Sequence, residues 1–138
     1  MLRKTFPGIR FSPVYWSPAV GFKDQADFLN AAAVFETKLK PSKVAEKLQE
    51  IEQKLKKNPP HKFGPRTIDL DVLFYGSEIL LDDALTVPHL ALHERKFVLQ
   101  PLQDLGAGEV MHPGFDRTVN DFLQTMKKDK CSKTDLIL

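Results

Sequence analysis

Cysteine is almost absent from this chain of 138 residues, which contains only Cys131. A single cysteine cannot close an internal disulfide, so a reducing, cytoplasmic compartment is expected. No apolar run approaches the ~20 residues of a membrane helix, and the basic N-terminus lacks the apolar segment of a secretory signal. The net charge is only +2, which is too small to favour nucleic acid as a partner. Membrane and nucleic-acid partners are therefore not expected.

The composition that remains is that of a globular protein, with 42% hydrophobic and 28% charged residues. This length fits one domain, and we expect it to cover residues 1–138. The cationic stretch "KKDKCSK" lies near the C-terminus, and residues 127–138 are predicted to form a solvated, charged tail.

The first half of the chain shows two strand patterns and one helix pattern. Gly8–Trp16 alternates and then becomes aromatic and β-branched, which predicts a strand, although Pro13 favours an edge or a bulge. Phe28–Thr37 is apolar and predicts a strand, with a helix as the alternative because of its alanines. Lys40–Lys57 predicts a helix, since its apolar residues recur at helical spacing as Val44, Leu48, Ile51 and Leu55.

The second half continues with mixed elements. Thr67–Tyr75 predicts a strand that forms a hairpin with Glu78–Leu81. Asp82–Leu105 is predicted to be mostly loop, followed by a short helix from about residue 93 to 99 that stops near Pro101. Thr118–Met126 predicts a last helix. Strands and helices follow no regular alternation, which indicates the α+β class.

Two carboxylates interrupt the most apolar strand pattern, "TIDLDVLFY". Side chains alternate along a strand, so Asp69 and Asp71 share one face with Leu73, while Leu70 and Val72 face the core. Carboxylate oxygens in small number suit Mg²⁺ shared with substrate phosphates. A solvated strand face is the simpler interpretation of the same spacing. Arg66 and the basic loop before it favour a polyphosphate site instead.

The segment "GPRTIDLDVLFYG" closely resembles the signature of the 6-hydroxymethyl-7,8-dihydropterin pyrophosphokinase family of folate biosynthesis. "SPAVGFKDQADFLNAA" is similar to the pterin-binding loop of that family, and "LTVPHLALHERKFVLQPL" to its second conserved block. The resemblance extends from about Phe11 to Leu105.

The resemblance implies a ferredoxin-like sandwich in which helices pack on an antiparallel-rich sheet. The family normally begins with a further strand, a Gly-Ser-Asn turn and a helix. "MLRKTFPGIRF" is similar to the end of that helix running into the next strand, so we expect the N-terminal βα element to be missing.

The implied activity is transfer of the β,γ-diphosphate of ATP to the pterin hydroxymethyl group, with release of AMP. Asp69 and Asp71 would hold two Mg²⁺ ions and form the catalytic group together with Arg66. The implied ATP contacts come from the long helix, the loop after it and the second block: Gln49, Glu52, Lys57, Arg66, Val72, Thr86, His89 and Arg95. The implied pterin pocket comprises Ser17, Pro18, Val20, Phe28, Asn30 and Phe97.

Other interpretations stay open at the level of sequence. Phe28 and Phe97 taken alone are typical core aromatics, and His89 taken alone is typical of a hydrogen-bonded loop histidine. A different Mg²⁺-dependent nucleotidyl or glycosyl transferase would keep the two aspartates, but it would not need Phe28 and Phe97 to sandwich a pterin ring or Asn30 to bind the edge of that ring. A truncated or inactive relative would bind nucleotide or pterin without turnover. A monomer is expected, with self-association at the missing strand as the alternative.

Overall fold

Short antiparallel strand pairs and amphipathic helices build the fold. The computed structural model describes residues 2–17, 28–57, 69–82, 85–126 and 131–136. The helices in these ranges are α1 (Leu2–Thr5), α2 (Pro41–Lys57), α3 (Lys96–Asp104) and α4 (Val119–Gln124). The strands are β1 (Arg10–Phe11), β2 (Tyr15–Ser17), β3 (Phe28–Asn30), β4 (Ala33–Val34), β5 (Leu80–Leu81), β6 (Thr86–Val87), β7 (Met111–His112), β8 (Arg117–Thr118) and β9 (Ser132–Lys133).

The strand pairs described here are all antiparallel: β1 with β4, β2 with both β3 and β9, β5 with β6, and β7 with β8. Helices and antiparallel strands together confirm the α+β class. The two strand patterns of the first half are each divided in two. Pro13, which cannot donate to a ladder, lies between β1 and β2, and Ser12 Oγ there accepts the backbone N–H of Ala32.

Helix α2 confirms the predicted amphipathic helix, and Val44, Leu48 and Ile51 of its stripe are buried. An apolar group that we call the α2 cluster forms around this stripe. Its buried members are Phe6, Ile9, Val44 and Leu48. Leu70, Val72 and Tyr75 pack against it. The N-terminal residues interpreted as the end of a helix do form α1, and Phe6 after α1 stacks on Phe35 at 4.1 Å between ring centroids.

A second group, the α3 cluster, joins α3 and α4. It contains the buried residues Ala32, Leu92, Leu99, Leu102, Val119 and Phe122. The last predicted helix is confirmed, and it is capped by Thr118, whose side chain accepts the N–H of Asp121. Leu73 and Phe74 pack against this cluster, so the segment 69–75 lies between both clusters.

The predicted strand over Thr67–Tyr75 is wrong for its described part, because residues 69–75 belong to no strand ladder. The Leu73 carbonyl accepts one hydrogen bond, from the N–H of His89 at 3.0 Å, without extending into a ladder. The alternation of side chains is nevertheless confirmed. Asp69 and Asp71 are exposed, while Leu70 and Val72 are partly buried.

The predicted hairpin has a different partner strand. Leu80–Leu81 pairs with Thr86–Val87 rather than with the aspartate segment, so β6 occupies part of the region predicted as loop. Val87 is fully buried, which gives this β-branched residue a reason to be in a strand.

Proline does not end the third helix as predicted. Helix α3 continues through Pro101 to Asp104. Proline removes one helical hydrogen bond, but the Pro101 ring is fully buried, and its burial offsets part of that loss.

The C-terminal tail is also only partly as predicted. Ser132 and Lys133 are exposed, yet they form β9 and pair with β2. The sheet edge of β2 therefore holds part of the predicted solvated tail. Within the ranges given above, no helix combines the length and the apolar character needed to cross a membrane.

Candidate active site

The segment 69–75, which we call the acidic segment because it carries Asp69 and Asp71, is attached to α2 through Glu52. The backbone N–H of Leu70, which lies between the two aspartates, donates a hydrogen bond to the Glu52 carboxylate. Leu70 and Val72 pack against the α2 cluster on one side of the segment. This arrangement leaves Asp69 and Asp71 exposed on the other side. Hydrogen bonding and apolar packing therefore orient both carboxylates away from the core.

His89 lies next to the second of these carboxylates. Its Nε2 is 3.9 Å from Asp71 Oδ2, and the two side chains are 33% and 60% exposed. The N–H of His89 also donates to the Leu73 carbonyl at 3.0 Å, which fixes the loop beside the acidic segment. The pair is close enough for electrostatic attraction when the imidazole is protonated, yet open enough for a ligand to reach both groups.

A small cleft of about 110 Å³ opens beside the aspartates. It is lined by Asn30, Ala31, Ala32, Asp69, Asp71, Leu73, Phe97 and Val98. Four of these residues, from three separate parts of the chain, were predicted as site residues: Asn30 and Phe97 for pterin, and Asp69 and Asp71 for metal. The fold thus brings two of the implied pterin contacts and both implied metal ligands to one cleft.

Asn30 carries an unpaired hydrogen-bond donor. Its Nδ2 is buried and, among the described residues, has no hydrogen-bond partner. Ser17 Oγ, in the neighbouring strand β2, is buried and unpaired in the same sense. A buried polar group without a partner costs about 1–3 kcal/mol, so a ligand that supplies an acceptor to Asn30 gains correspondingly.

Arg95 and Phe97 stand at the beginning of α3. Arg95 is the N-cap residue of this helix, and its guanidinium carbon lies 5.8 Å from the centroid of the Phe97 ring. This distance is within the range of a cation–π contact. An exposed cation therefore lies beside the aromatic wall of the cleft.

The other predicted residues are more widely distributed. Gln49 is exposed on α2, Lys57 is the last residue of that helix, and Thr86 is half-buried in β6. Val72 packs against the α2 cluster rather than lining the cleft. The backbone of Phe28 pairs with Ser17 across β2 and β3. Pro18, Val20 and Arg66 lie outside the described residues, so their predicted roles stay predictions.

Sequence reasoning missed the apolar lining of the cleft, which comprises Ala31, Ala32, Leu73 and Val98. The position of Leu73 could have been recognised from the alternation that placed it on the same face as the aspartates. Ala31 and Val98 are neighbours in sequence of Asn30 and Phe97, and adjacency was the available signal for them. No signal in the sequence marked Ala32, which both lines the cleft and belongs to the α3 cluster.

A sequence profile of the family described as 7,8-dihydro-6-hydroxymethylpterin-pyrophosphokinase (HPPK) matches residues 1–107. The chain belongs to this family. The resemblance seen in the sequence is thereby confirmed, and every predicted site residue falls inside the matched range. The segments beyond it include α4 and β9.

Curated HPPK relatives show the extent of the similarity. The chain is 41% identical over 100 residues to the 2-amino-4-hydroxy-6-hydroxymethyldihydropteridine pyrophosphokinase of Haemophilus influenzae, which covers 72% of this chain and 62% of the relative. It is 41% identical over 96 residues to the enzyme of the same name from Bacillus subtilis, covering 70% of this chain and 58% of the relative.

The domain is also similar to part of a larger protein. The "Folic acid synthesis protein fol1" of Pneumocystis carinii is 41% identical over 105 residues, which cover 76% of this chain but 14% of that protein. The chain therefore spans less than two thirds of the length of each of these three relatives.

Proposed function

We propose that this HPPK-family chain transfers a diphosphate group from ATP to 6-hydroxymethyl-7,8-dihydropterin in folate biosynthesis and releases AMP. The observation that carries the proposal is the shared cleft, which is lined by Asn30 and Phe97 together with Asp69 and Asp71. The two bacterial relatives are named as pyrophosphokinases of this pterin. The unpaired amide donor of Asn30 beside the Phe97 ring suits a flat heterocycle that carries a hydrogen-bond acceptor, as a pterin does.

The chemistry of the donor set fits Mg²⁺. Asp69 and Asp71 are exposed, and within the described ranges no group of three or more His, Cys, Asp or Glu side chains converges on one point. A site with so few protein ligands suits Mg²⁺, which keeps several waters and binds substrate phosphates. We propose that the two aspartates hold two Mg²⁺ ions, which would neutralise phosphate charge and align the transfer.

The protein groups divide the remaining work between the two substrates. Asn30 would pair its Nδ2 with an acceptor on the pterin edge, and Phe97 would stack on the ring. His89, beside Asp71, and Arg95, beside Phe97, would contact the ATP phosphates or ribose. The hydroxymethyl oxygen then forms a bond to the β-phosphorus of ATP. The bond between that phosphorus and the oxygen that bridges it to the α-phosphorus breaks. AMP leaves with this bridging oxygen, and the proton of the hydroxymethyl group is released.

We further propose that the antiparallel pairs and the helices follow the ferredoxin-like arrangement implied by the resemblance. Two observations support this proposal. The segment 69–75 is packed by the α2 cluster on one side and by the α3 cluster on the other. Helix α3 also lies against β2 and β3.

The direct test is AMP release from ATP with Mg²⁺, with and without 6-hydroxymethyl-7,8-dihydropterin. We expect AMP to form only when the pterin is present. AMP formation that does not depend on pterin would contradict the proposed acceptor. Pterin and ATP binding without AMP would instead identify the chain as a binding relative that does not turn over.

A further inference from the structure

A polar cluster outside the proposed site joins three separate elements. Tyr15 of β2 is only 5% exposed, and its hydroxyl donates a hydrogen bond to the Asp104 carboxylate at the end of α3. Lys133 of β9 places its Nζ 3.2 Å from the same Asp104 Oδ2. Burial and then Asp104 raise the pKa of Tyr15, so its hydroxyl keeps its proton and remains a donor. We call these three residues the Tyr15 cluster.

Strand β9 is held in place by more than the Tyr15 cluster. Trp16 pairs with Ser132, and Tyr15 pairs with Lys133 in the antiparallel register. Thr134 adds two contacts, since its N–H and its hydroxyl donate to the Val14 carbonyl at 2.9 and 2.8 Å. The C-terminal segment is therefore built into the sheet as a third strand beside β2.

The same sheet carries the proposed pterin donor. Asn30 pairs with Tyr15 across β3 and β2, and Tyr15 pairs with Lys133 across β2 and β9. Residues directly opposite each other in antiparallel strands lie on one face of the sheet. Asn30, Tyr15 and Lys133 thus form one row, at one end of which lies the cleft.

The helix anchored by the Tyr15 cluster carries the proposed pterin stack. Asp104 is the last residue of α3, and Phe97 is the second. The separation of seven positions between them corresponds to about 10 Å along a rigid helix. The position of Asp104 therefore helps to set the position of Phe97, just as the position of Tyr15 helps to set that of Asn30.

We propose that strand β9 and the Tyr15 cluster form a clamp that positions Asn30 and Phe97 for pterin binding. Tyr15, Asp104 and Lys133 are positioning residues in this scheme, since none of them lines the cleft. The inference rests on the proposed function. It assigns a role to Lys133, which lies beyond the matched family range of residues 1–107.

The test compares Lys133→Met and Tyr15→Phe with the wild-type chain. Because the Lys133 and Asp104 side chains are 55% and 26% exposed, loss of their ion pair should weaken pterin binding about threefold. Loss of the buried Tyr15 hydroxyl should weaken it about tenfold, since its acceptor is charged. Affinity for Mg²⁺ and a non-hydrolysable ATP analogue should not change.

Two further variants serve as controls. Lys133→Arg keeps the positive charge and should retain the pterin affinity that Lys133→Met loses. Asp135→Asn, at an exposed neighbouring position, is the matched control.

Cys131 supplies a readout that does not need activity. Cys131 lies directly before β9 and is partly buried, and this burial raises the pKa of its thiol. The thiol should therefore react slowly with a disulfide reagent while β9 is paired with β2. Both variants should accelerate this reaction. Saturating pterin should slow the reaction in the wild-type chain, because coupling between two sites is reciprocal.

The outcomes separate this inference from the proposed function. A wild-type chain that binds no pterin overturns the proposed function, and the clamp with it. A wild-type chain that binds pterin, with variants of unchanged pterin affinity, overturns the clamp alone. Equal loss of affinity for pterin and for the ATP analogue also overturns it, since that result indicates general destabilisation.

Discussion

The two halves of the molecule treat polar groups in opposite ways. The half proposed to bind the nucleotide, which we call the nucleotide half, comprises α2 with the segment 69–75. It has an apolar cluster inside and keeps Gln49, Asp69 and Asp71 exposed. The half proposed to bind pterin, which we call the pterin half, comprises β2, β3 and β9 with α3 and α4, and it buries polar atoms. Among the described residues, Ser17 Oγ and Asn30 Nδ2 are buried without partners.

This difference matches two kinds of ligand. Buried, unpaired donors raise the affinity for a ligand that supplies matching acceptors. They lower the affinity for an analogue that lacks these acceptors, because the protein group is then left without a hydrogen bond. Exposed carboxylates are inexpensive to keep charged, and they can share a hard cation with phosphate oxygens. The pterin half is therefore suited to selectivity, and the nucleotide half to holding charge.

The largest expected effect follows from removing the charge of one carboxylate in the nucleotide half. Asp71→Asn keeps the shape of the side chain but removes its charge, and the stabilisation of phosphate charge should be lost with it. We expect turnover to fall about a thousandfold, corresponding to roughly 4 kcal/mol of transition-state stabilisation. Pterin binding should be nearly unchanged. The measurement is the rate of AMP release, together with equilibrium binding of pterin.

Asp116→Asn is the matched control for this charge removal. Asp116 is exposed and has a positive φ of 56°, a conformation that Asn also tolerates. Its variant should keep full activity. Equal rates for Asp71→Asn and the wild-type chain would exclude a metal-holding role for Asp71.

A pair of core truncations compares the two clusters in stability. Leu99 of the α3 cluster is 0% exposed and Leu48 of the α2 cluster is 8% exposed. Truncating either to alanine should lower the free energy of unfolding by about 2–5 kcal/mol, with the larger loss for Leu99→Ala. Urea unfolding measures both.

Because the segment 69–75 packs against both clusters, we expect each variant to unfold in a single transition. Two separate transitions in either variant would show that the halves are independent folding units. A smaller loss for Leu99→Ala than for Leu48→Ala would contradict the ranking by burial.

A crossed pair of binding-site variants tests the assignment of ligands to halves. Asn30→Ala removes the unpaired donor and should weaken pterin binding about tenfold while sparing the ATP analogue. Gln49→Ala, on the exposed face of α2, should weaken binding of the ATP analogue about threefold and leave pterin binding unchanged. Titration calorimetry with each ligand measures both. Equal losses for both ligands in either variant would remove the division between the halves.

Local patterns predicted the elements that depend on local interactions. The apolar stripe of α2, the capped helix after Thr118 and the alternation around Asp69 and Asp71 follow from side-chain spacing, and each is present in the structure. The pairing of Ser132–Lys133 with β2 joins residues from the two ends of the chain, and no local pattern indicates it. The pairing of Leu80–Leu81 with Thr86–Val87 is local, but the apolar segment before Gly76 offered a competing partner for the same strand.

The candidate site shows the same limit. The motif and its two flanking blocks singled out Asn30, Asp69, Asp71 and Phe97, and these four residues line one cleft. It could not indicate that Glu52 accepts the N–H of Leu70, or that Asp104 links Tyr15 to Lys133. These supporting contacts join residues far apart in sequence, and their polar side chains are also typical of ordinary surface positions.

The smallest expected effect is a pH dependence of stability that comes from His112 of β7, whose ring packs edge-on against Phe122 of α4. His112 is buried, and the N–H of Gly114 donates to its Nδ1 at 3.0 Å. Burial, followed by the nearby His93, lowers the pKa of His112 in the folded chain. The unfolded chain therefore binds a proton first as the pH falls below about 6.5, and stability from neutral His112 is progressively lost down to the folded pKa. Urea unfolding at about pH 7.5 and 5.5 should show a smaller acid loss in His112→Gln than in the wild-type chain. An equal loss of stability in acid for both proteins would show that His112 is not the group responsible. Helix α2 contains no histidine and would not supply such a group.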